Sequence, residues 1–307
     1  MKIKMASRIG TQHMTYQFLN SLNKTMAKQS ELTEKMTDGL DLHRPSDDPI
    51  RVVRSLRFRS SQGELEKFDQ NANDAISWLT STDSTLQNMT SLLTRVKELT
   101  IQAAAPNPES SIAAIGEEIN GIIDNMVETA NIKVGNRFLF SGQADATQPF
   151  VRQEDGSVVF QGDNNYISLK LQAGAASPGQ DSVNTTAAEA FGPDLEVFNQ
   201  LNILQKELRS GSPDLAWVSN VGLASVDSAQ DRVIAANTKV GTRMSTYEMM
   251  QNIIGDNSNR VYEDLAKNDD LDMAKATIDM KSSELLYRAS LSIGSKIMPT
   301  SLLDFLN

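Results

Sequence analysis

The feature that most constrains the fold is the spacing of small and apolar residues in two long stretches of the chain. In each stretch they recur at alternating steps of three and four residues, which places them in one narrow stripe along a helix. A stripe this narrow needs a partner helix to cover it. The sequence therefore predicts two long helices that pair antiparallel. The stripes comprise Leu65, Phe68, Ala72, Ala75, Leu79, Thr82, Leu86, Met89, Leu93, Val96 and Thr100, and Val226, Ala229, Val233, Ala236, Val240, Met244, Tyr247, Met250 and Ile254.

Proline, glycine and capping residues predict where the helices begin and end. Asp48 is suited to cap a helix that starts at Pro49, and Pro106 ends this helix after Ala104. Its 36 residues from 65 to 100 would measure roughly 54 Å, so we expect an elongated molecule. Further helices are predicted over 12–40, 108–134, 193–210, 212–266 and 271–297. The weak stripe of the first helix predicts poor order until another chain covers it.

Residues 136–192 differ from the rest because they alternate between strand and turn patterns. Asp155-Gly156 lies between two apolar runs, which indicates a hairpin of 150–154 with 157–161. Residues 166–171 alternate as well and predict a third strand. Residues 173–188 are predicted to be loop.

These patterns predict a mainly α fold. The expected architecture is an elongated antiparallel helical bundle or coiled coil formed by both terminal regions, with a small β-rich insert. We expect three domains. Residues 1–42 with 268–307 would form a domain of terminal helices, 43–143 with 193–267 a long-helix rod, and 144–192 a small β-rich insert.

Composition excludes several classes of function. The net charge is -10, and the part of the chain after residue 70 carries -13, which argues against nucleic-acid binding. The chain has no cysteine, so disulfides and thiolate metal sites are excluded. No run of about 18 apolar residues predicts a membrane span, and no cleavable secretory signal is visible. We expect neither a nucleic acid nor a membrane to be a partner of this protein.

No catalytic, cofactor or metal site is predicted. The two histidines, His13 and His43, lack zinc-ligand spacing, and phosphate-loop and nucleophile-elbow motifs are absent. Asp47 and Asp48 could serve acid–base chemistry or bind a cation, but a turn and helix cap explains them better. Arg51, Arg54 and Arg57 share one helix face, which is either a solvated surface or a docking face for an acidic neighbour.

Four short segments match motifs of one known family. Residues 44–49 (RPSDDP) resemble the motif after the first helix in the flagellin family, and residues 71–76 (NANDAI) resemble that family's second-helix signature. Residues 135–142 (GNRFLFSG) and the ending 301–306 (SLLDFL) resemble the hook–filament junction branch of that family. The segments occur in the family's order and cover both terminal regions and one edge of the insert.

The resemblance implies a structural protein that is not an enzyme. Members are exported unfolded without a cleaved signal, and their terminal segments fold into an inner coiled-coil tube on assembly. Junction members join hook-associated protein 1 on the hook side to flagellin on the other, in a ring or helical zone of copies of themselves. A flagellar export chaperone holds the C-terminal region beforehand.

The candidate assembly residues lie in the two terminal regions and in the motif between the first two helices. They are Phe18, Leu22, Met26, Leu32, Met36, Arg44, Pro45, Ser46, Asp47, Asp48, Pro49, Arg51, Arg54, Arg57, Leu285, Ala289, Ile293, Leu302, Leu303, Phe305 and Leu306. The nearest alternative is a filament-forming flagellin. A coiled-coil signalling rod would need a sensor or membrane span, and an enzyme would need a catalytic set in the insert.

Overall fold

A computed structural model describes residues 2–106, 108–144, 146–171 and 182–297, with side chains described from residue 13 to residue 294. The described part is mainly α, as predicted. Its helices are α1 (Lys2–Asp38), α2 (Pro49–Ala104), α3 (Glu109–Ala130), α4 (Ala187–Phe191), α5 (Glu196–Leu208), α6 (Leu215–Trp217), α7 (Leu223–Asp269) and α8 (Met273–Ile297). A π-helical turn, Val218–Gly222, lies between α6 and α7. The strands are β1 (Lys133–Val134), β2 (Arg137–Phe138), β3 (Phe150–Arg152) and β4 (Val158–Phe160).

Contacts divide the chain into two compact units. The terminal unit comprises residues 1–63 and 259–307, and the central unit comprises residues 64–258.

The central unit is built on an antiparallel pairing of α2 with α7. Gln251 Nε2 donates to Asn73 Oδ1 at 2.8 Å, and Gln230 Nε2 donates to Thr94 Oγ1 at 3.1 Å, so the residue numbers run in opposite directions. The seam between them is buried from Ala72 to Thr100 on one helix and at Val226, Ala229, Val233, Ala236, Val240, Tyr247 and Ile254 on the other. The antiparallel pairing predicted from the stripe is thereby confirmed.

Four phenylalanines form the core of the insert end of the central unit. The Phe150 ring lies 5.3 Å from Phe191 and 5.8 Å from Phe198, and Phe140 lies 5.4 Å from Phe191. All four are fully buried and join the cluster that α3 and α5 complete. Packing between aromatic rings therefore stabilises this end of the central unit, whereas the helical seam is built largely from small and aliphatic residues.

The predicted hairpin is present, but the predicted three-stranded meander is wrong in the described residues. β3 pairs with β4 around the Asp155-Gly156 turn, where Gly156 has a φ of 84° that suits glycine. Residues 166–171 form no strand. The backbone N–H of Ile167 is taken by Asn184 Oδ1 at 2.7 Å, so a side chain replaces the expected ladder partner.

Other local differences arise at turns. A short hairpin, β1 with β2, was not predicted, and Gly135 at its turn has a φ of 61°. The helix predicted from residue 193 begins at Glu196, after a left-handed Leu195. The helix predicted from residue 212 begins at Leu215 instead, because Asp214 caps it: its Oδ1 accepts from the backbone N–H groups of Ala216 and Trp217. Most of the predicted loop 173–188 lies outside the described residues.

Candidate functional site

The terminal unit pairs helix α1 with helix α8. Phe18 of α1 faces Gly294 of α8, residues 21–28 lie beside residues 279–286, and Leu40 forms an antiparallel bridge with Asp270. Helices α1 and α8 are therefore antiparallel. A Cβ added at Gly294 would overlap the Phe18 ring, so glycine allows this close approach.

The face of α8 that packs inward consists mainly of small residues. Ala276, Ser283 and Gly294 are buried, and Met280 and Tyr287 are partly buried at the same helical spacing. The predicted assembly residues lie on the opposite face: Leu285 is 68% exposed, Ile293 is 54% exposed, and Ala289 is exposed as well. Ile278 and Leu286 extend this outer face. In the described chain, the inward face of α8 thus combines small residues with Met280 and Tyr287, and its large aliphatic residues are exposed.

Most side chains of the stripe predicted on α1 are partly covered by neighbouring residues. Phe18, Leu22, Leu32 and Met36 are partly buried, whereas Met26 is exposed on the other side with Leu19 and Tyr16. Thr25 occupies the inner position in place of Met26 because the observed steps of three and four run through residue 25. Leu302, Leu303, Phe305 and Leu306 lie outside the described residues.

Both breaks between helices meet in one joint. The backbone N–H of Asp41 donates to the carbonyl of Asp269 at 2.7 Å, and that of Leu271 donates to Gly39 at 2.8 Å. Gly39 has a φ of 76°, the left-handed conformation that ends a helix. The end of α1 and the α7–α8 break are thus held together by a short pair of antiparallel backbone bonds.

The motif from Arg44 to Pro49 is a turn followed by a helix cap. Asp47 Oδ2 accepts from the backbone N–H groups of His43 and Arg44 at 3.2 and 2.9 Å. Asp48 Oδ1 accepts from Ile50 and Arg51 at 3.0 Å each, which caps α2 at the predicted residue. The backbone bond from Arg44 holds the pKa of Asp47 below its usual value. Arg44, Pro45, Ser46 and Pro49 are exposed around this turn.

Arg51 links the start of α2 to both breaks. Its Nη1 donates to Asp41 Oδ2 at 2.6 Å, and its Nε donates to the carbonyl of Asn268 at 3.1 Å. Lys35 Nζ binds the other carboxylate oxygen of Asp41 at 3.1 Å. The hydrogen bond from Arg51 lowers the pKa of Asp41, so this carboxylate is held in its charged form.

Asp269 is the buried anion of the joint, at 3% exposure. It accepts from Ser55 Oγ at 2.6 Å and from Arg59 Nη2 at 3.1 Å, and Asn268 Nδ2 donates to its other oxygen at 2.8 Å. Burial raises the pKa of this carboxyl, and the hydrogen bonds from Ser55, Asn268 and Arg59 outweigh burial, so the pKa lies below its usual value.

The arginine face predicted on α2 is divided by the structure. Arg51 points into the joint, whereas Arg54 and Arg57 are exposed and have no ion-pair partner among the described residues. Sequence reasoning missed Lys35, Asp41, Ser55, Arg59 and Asp269 as members of this site. The helix break at Asn268-Asp269-Asp270 was predicted from the sequence. The residues that bind this break, Arg51 and Ser55, are more than 200 residues away in the chain and could not be predicted from it.

The described residues contain no group of three or more histidine, cysteine or acidic side chains placed to hold a metal ion. In the same part of the chain, no helix has the length and apolar character needed to cross a membrane. The geometry is that of a structural joint beside an exposed apolar helix face.

Comparison with known sequences shows similarity to bacterial flagellins. The model of the bacterial flagellin N-terminal helical region matches residues 9–145. Flagellin of Escherichia coli (strain K12) is 29% identical over 202 residues, which are 61% of this chain and 38% of that protein. Flagellin of Bacillus subtilis (strain 168) is 23% identical over 282 residues, which are 89% of this chain and 91% of that protein. The chain spans only about two fifths of the length of its Escherichia coli and Shigella flexneri relatives.

Solved structures share the fold. Bacillus cereus FlgL is 26% identical, with a TM-score of 0.57, and the match covers 68% of this chain and 99% of that one. A putative flagellar hook-associated protein from Vibrio parahaemolyticus has a TM-score of 0.65 at 20% identity, covering 73% and 100% of the two chains. Flagellar hook associated protein-3 from Legionella pneumophila has a TM-score of 0.60 at 15% identity, covering 68% and 97%.

Residues 9–145 are therefore similar to the N-terminal helical region of bacterial flagellins, and the fold is similar to that of the solved FlgL and hook-associated protein structures.

Proposed function

We propose that this protein is a structural adaptor of the extracellular bacterial flagellum at the hook–filament junction. The observation that carries the proposal is the outer face of α8, where Ile278, Leu285, Leu286, Ala289 and Ile293 are exposed. A helix that exposes its large aliphatic residues while it buries small ones is incomplete until a further surface covers it. The fold shared with Bacillus cereus FlgL supports the junction role.

Assembly through such a face follows from filament geometry. Head-to-tail contacts that do not close on themselves build helical arrays, and each subunit then needs a surface that its neighbours complete. In this proposal residues 1–42 with 268–307 form the inner assembly layer, 43–143 with 193–267 form the rod, and 144–192 face outward. The joint around Arg51 and Asp269 would hold together the breaks at which the inner helices begin.

The proposed partners follow from the family. Hook-associated protein 1 lies on the hook side, flagellin lies on the filament side, and copies of the protein itself form the zone between them. An export chaperone covers the C-terminal region, which includes Leu302, Leu303, Phe305 and Leu306, before export. Export proceeds without a cleaved signal peptide.

The test is to add charge to the outer face of α8 without disturbing the α1–α8 pair. Leu285→Lys with Ile293→Lys should leave the protein folded, because both side chains are mostly exposed, and should abolish filament attachment in a strain that lacks its own copy. Lys281→Glu, which changes charge at an exposed position of the same helix, should leave swimming intact. Normal filaments on cells that carry the double variant would refute the proposal.

A filament-forming flagellin is the second candidate, favoured by a match that covers 91% of the Bacillus subtilis flagellin. The two functions differ in copy number rather than fold. Purified protein seeded with filament fragments should form no long filaments if it is a junction adaptor, and growth to filaments many subunits long would favour the flagellin.

A further inference from the structure

The start of α2 carries a second exposed surface that the α8 face does not include. Ile50 is 72% exposed and Leu56 is 62% exposed, and Val53 is half exposed between them. Arg54 and Arg57 lie on the same side of the helix, both exposed and without an ion-pair partner among the described residues. We call these five residues the α2 patch. Arginine interleaved with large apolar side chains is the composition of a protein interface more than of a solvated surface.

The α2 patch is rigidly supported from beneath. Arg51 and Ser55, on the opposite side of the same two turns, are bonded to Asn268 and Asp269. The backbone that presents the patch is therefore fixed before any partner arrives, which reduces the entropy that a docking partner must overcome.

Charge indicates what the patch would bind. The terminal unit carries a net charge of +3, whereas the central unit carries -13. Within the central unit, α3 contains no lysine or arginine and five carboxylates, all exposed: Glu109, Glu117, Glu118, Asp124 and Glu128. Two of them, Glu109 and Glu128, have no ion-pair partner among the described residues, so α3 offers anions that the chain itself leaves uncompensated.

Shape complements charge. Between its acidic residues the exposed face of α3 presents Ala113, Ala114 and Gly121, and a Cβ added at Gly121 would meet nothing within 4 Å. Large side chains can therefore approach its backbone closely, while guanidinium groups reach the flanking carboxylates. The patch supplies bulk and positive charge, and α3 supplies small residues and negative charge.

We propose that the α2 patch of one molecule docks on α3 of a second copy of this chain. This contact rests on the proposed function, because it would align neighbouring adaptor subunits, and it makes no use of the α8 face. It also assigns a role to Arg54 and Arg57, which the joint leaves free.

Disulfide trapping tests the contact, because the native chain contains no cysteine and every disulfide is then an engineered one. The full-length chain would carry Leu56→Cys with Gly121→Cys, and the matched control would carry Leu56→Cys with Ala235→Cys, an exposed position of α7. Concentrated protein under mild oxidation should form chain-to-chain disulfides for the first pair and few for the control. Equal trapping in both, or cross-linking only to flagellin when it is added, would overturn the proposal.

Charge reversal provides the second measurement. Arg54→Glu with Arg57→Glu in the trapping pair should slow dimer formation about tenfold, because the reversed charges would repel the carboxylates of α3. Adding Glu128→Lys should recover part of the rate. An unchanged rate would overturn the proposal. If no chain-to-chain disulfide forms while the native protein still restores filament attachment, the inference about the α2 patch is wrong and the proposed adaptor function is unaffected.

Discussion

Arg51 and Asn268 hold each other by reciprocal hydrogen bonds across 217 residues of sequence. The guanidinium Nε of Arg51 donates to the Asn268 carbonyl at 3.1 Å, and Asn268 Nδ2 donates back to the Arg51 carbonyl at 2.9 Å. Through this pair the beginning of α2 and the end of α7 are closed into one joint. The pair therefore links the first turn of α2 to the last turn of α7, next to the break that precedes α8.

Removal of the Arg51 guanidinium should open the joint. Arg51→Ala deprives Asp41 of its closest cation and the Asn268 carbonyl of its donor, which should cost about 2 kcal/mol of local stability. Hydrogen exchange at the amides of Asp41 and Leu271, which donate across the joint, should accelerate about thirtyfold. Arg54→Ala should leave both rates unchanged, and equal rates in the two variants would contradict the role assigned to Arg51.

Acid should weaken the joint over a defined range of pH. The pKa values of Asp41 and Asp269 lie below the usual 3.8, so protonation favours the open or unfolded form. The stability that these carboxylates contribute is complete above about pH 5 and is lost as the pH falls through their lowered pKa values. Urea unfolding followed by NMR signals of the terminal unit should show a smaller loss on acidification for Asp269→Asn than for the native chain. Parallel curves would contradict this assignment.

A bulky residue at position 294 should separate the terminal helices. Gly294→Leu places a side chain where the Phe18 ring lies, and overpacking of this kind costs about 1–3 kcal/mol. Exchange of α1 amides should increase, whereas Ala289→Leu on the exposed face should have little effect. Phe18→Ala combined with Gly294→Leu should recover stability relative to Gly294→Leu alone, and the absence of that coupling would show that the two residues do not meet.

Truncation of Phe150 should unfold the insert end of the central unit. Its ring is fully buried among Phe160, Phe191 and Phe198, and Phe150→Ala is expected to cost about 3–5 kcal/mol. Urea unfolding monitored by the fluorescence of Trp78 and Trp217 would measure it. Val159→Ala, on the neighbouring strand but largely exposed, should cost less than 1 kcal/mol by comparison.

Local signals in the sequence predicted the helical frame. The bounds of α2, Pro49–Ala104, agree with the prediction because capping by Asp48 and termination at Pro106 depend only on neighbouring residues. The seam from Ala72 to Thr100 was predictable for a similar reason, since it faces a single partner helix along its length. The Asp155-Gly156 hairpin likewise depends on a turn that two residues specify.

Predictions from local sequence failed where residues far away in the chain hydrogen-bond to the backbone or cover one face of a helix. The third strand of the insert does not form because Ile167 and Ser168 pair with residues 182–184 instead of with the β3–β4 hairpin. The candidate residues of α8 lie on its outer face because periodicity identifies an apolar stripe but does not say whether that stripe is covered within the chain. Ser55 and Arg59 were missed because their partner, Asp269, is 214 and 210 residues away.

The sequence by itself determined the mainly α class, the paired helical stripes, the cap of α2 and the family resemblance, because each of these is encoded over a few neighbouring residues or one repeating interval. Only the tertiary structure decided which face of α8 stays exposed and that a buried carboxylate at position 269 joins two helix breaks. Those outcomes depend on which distant segments come into contact. The free energy of such contacts depends on both segments together, so neither segment's sequence predicts it alone.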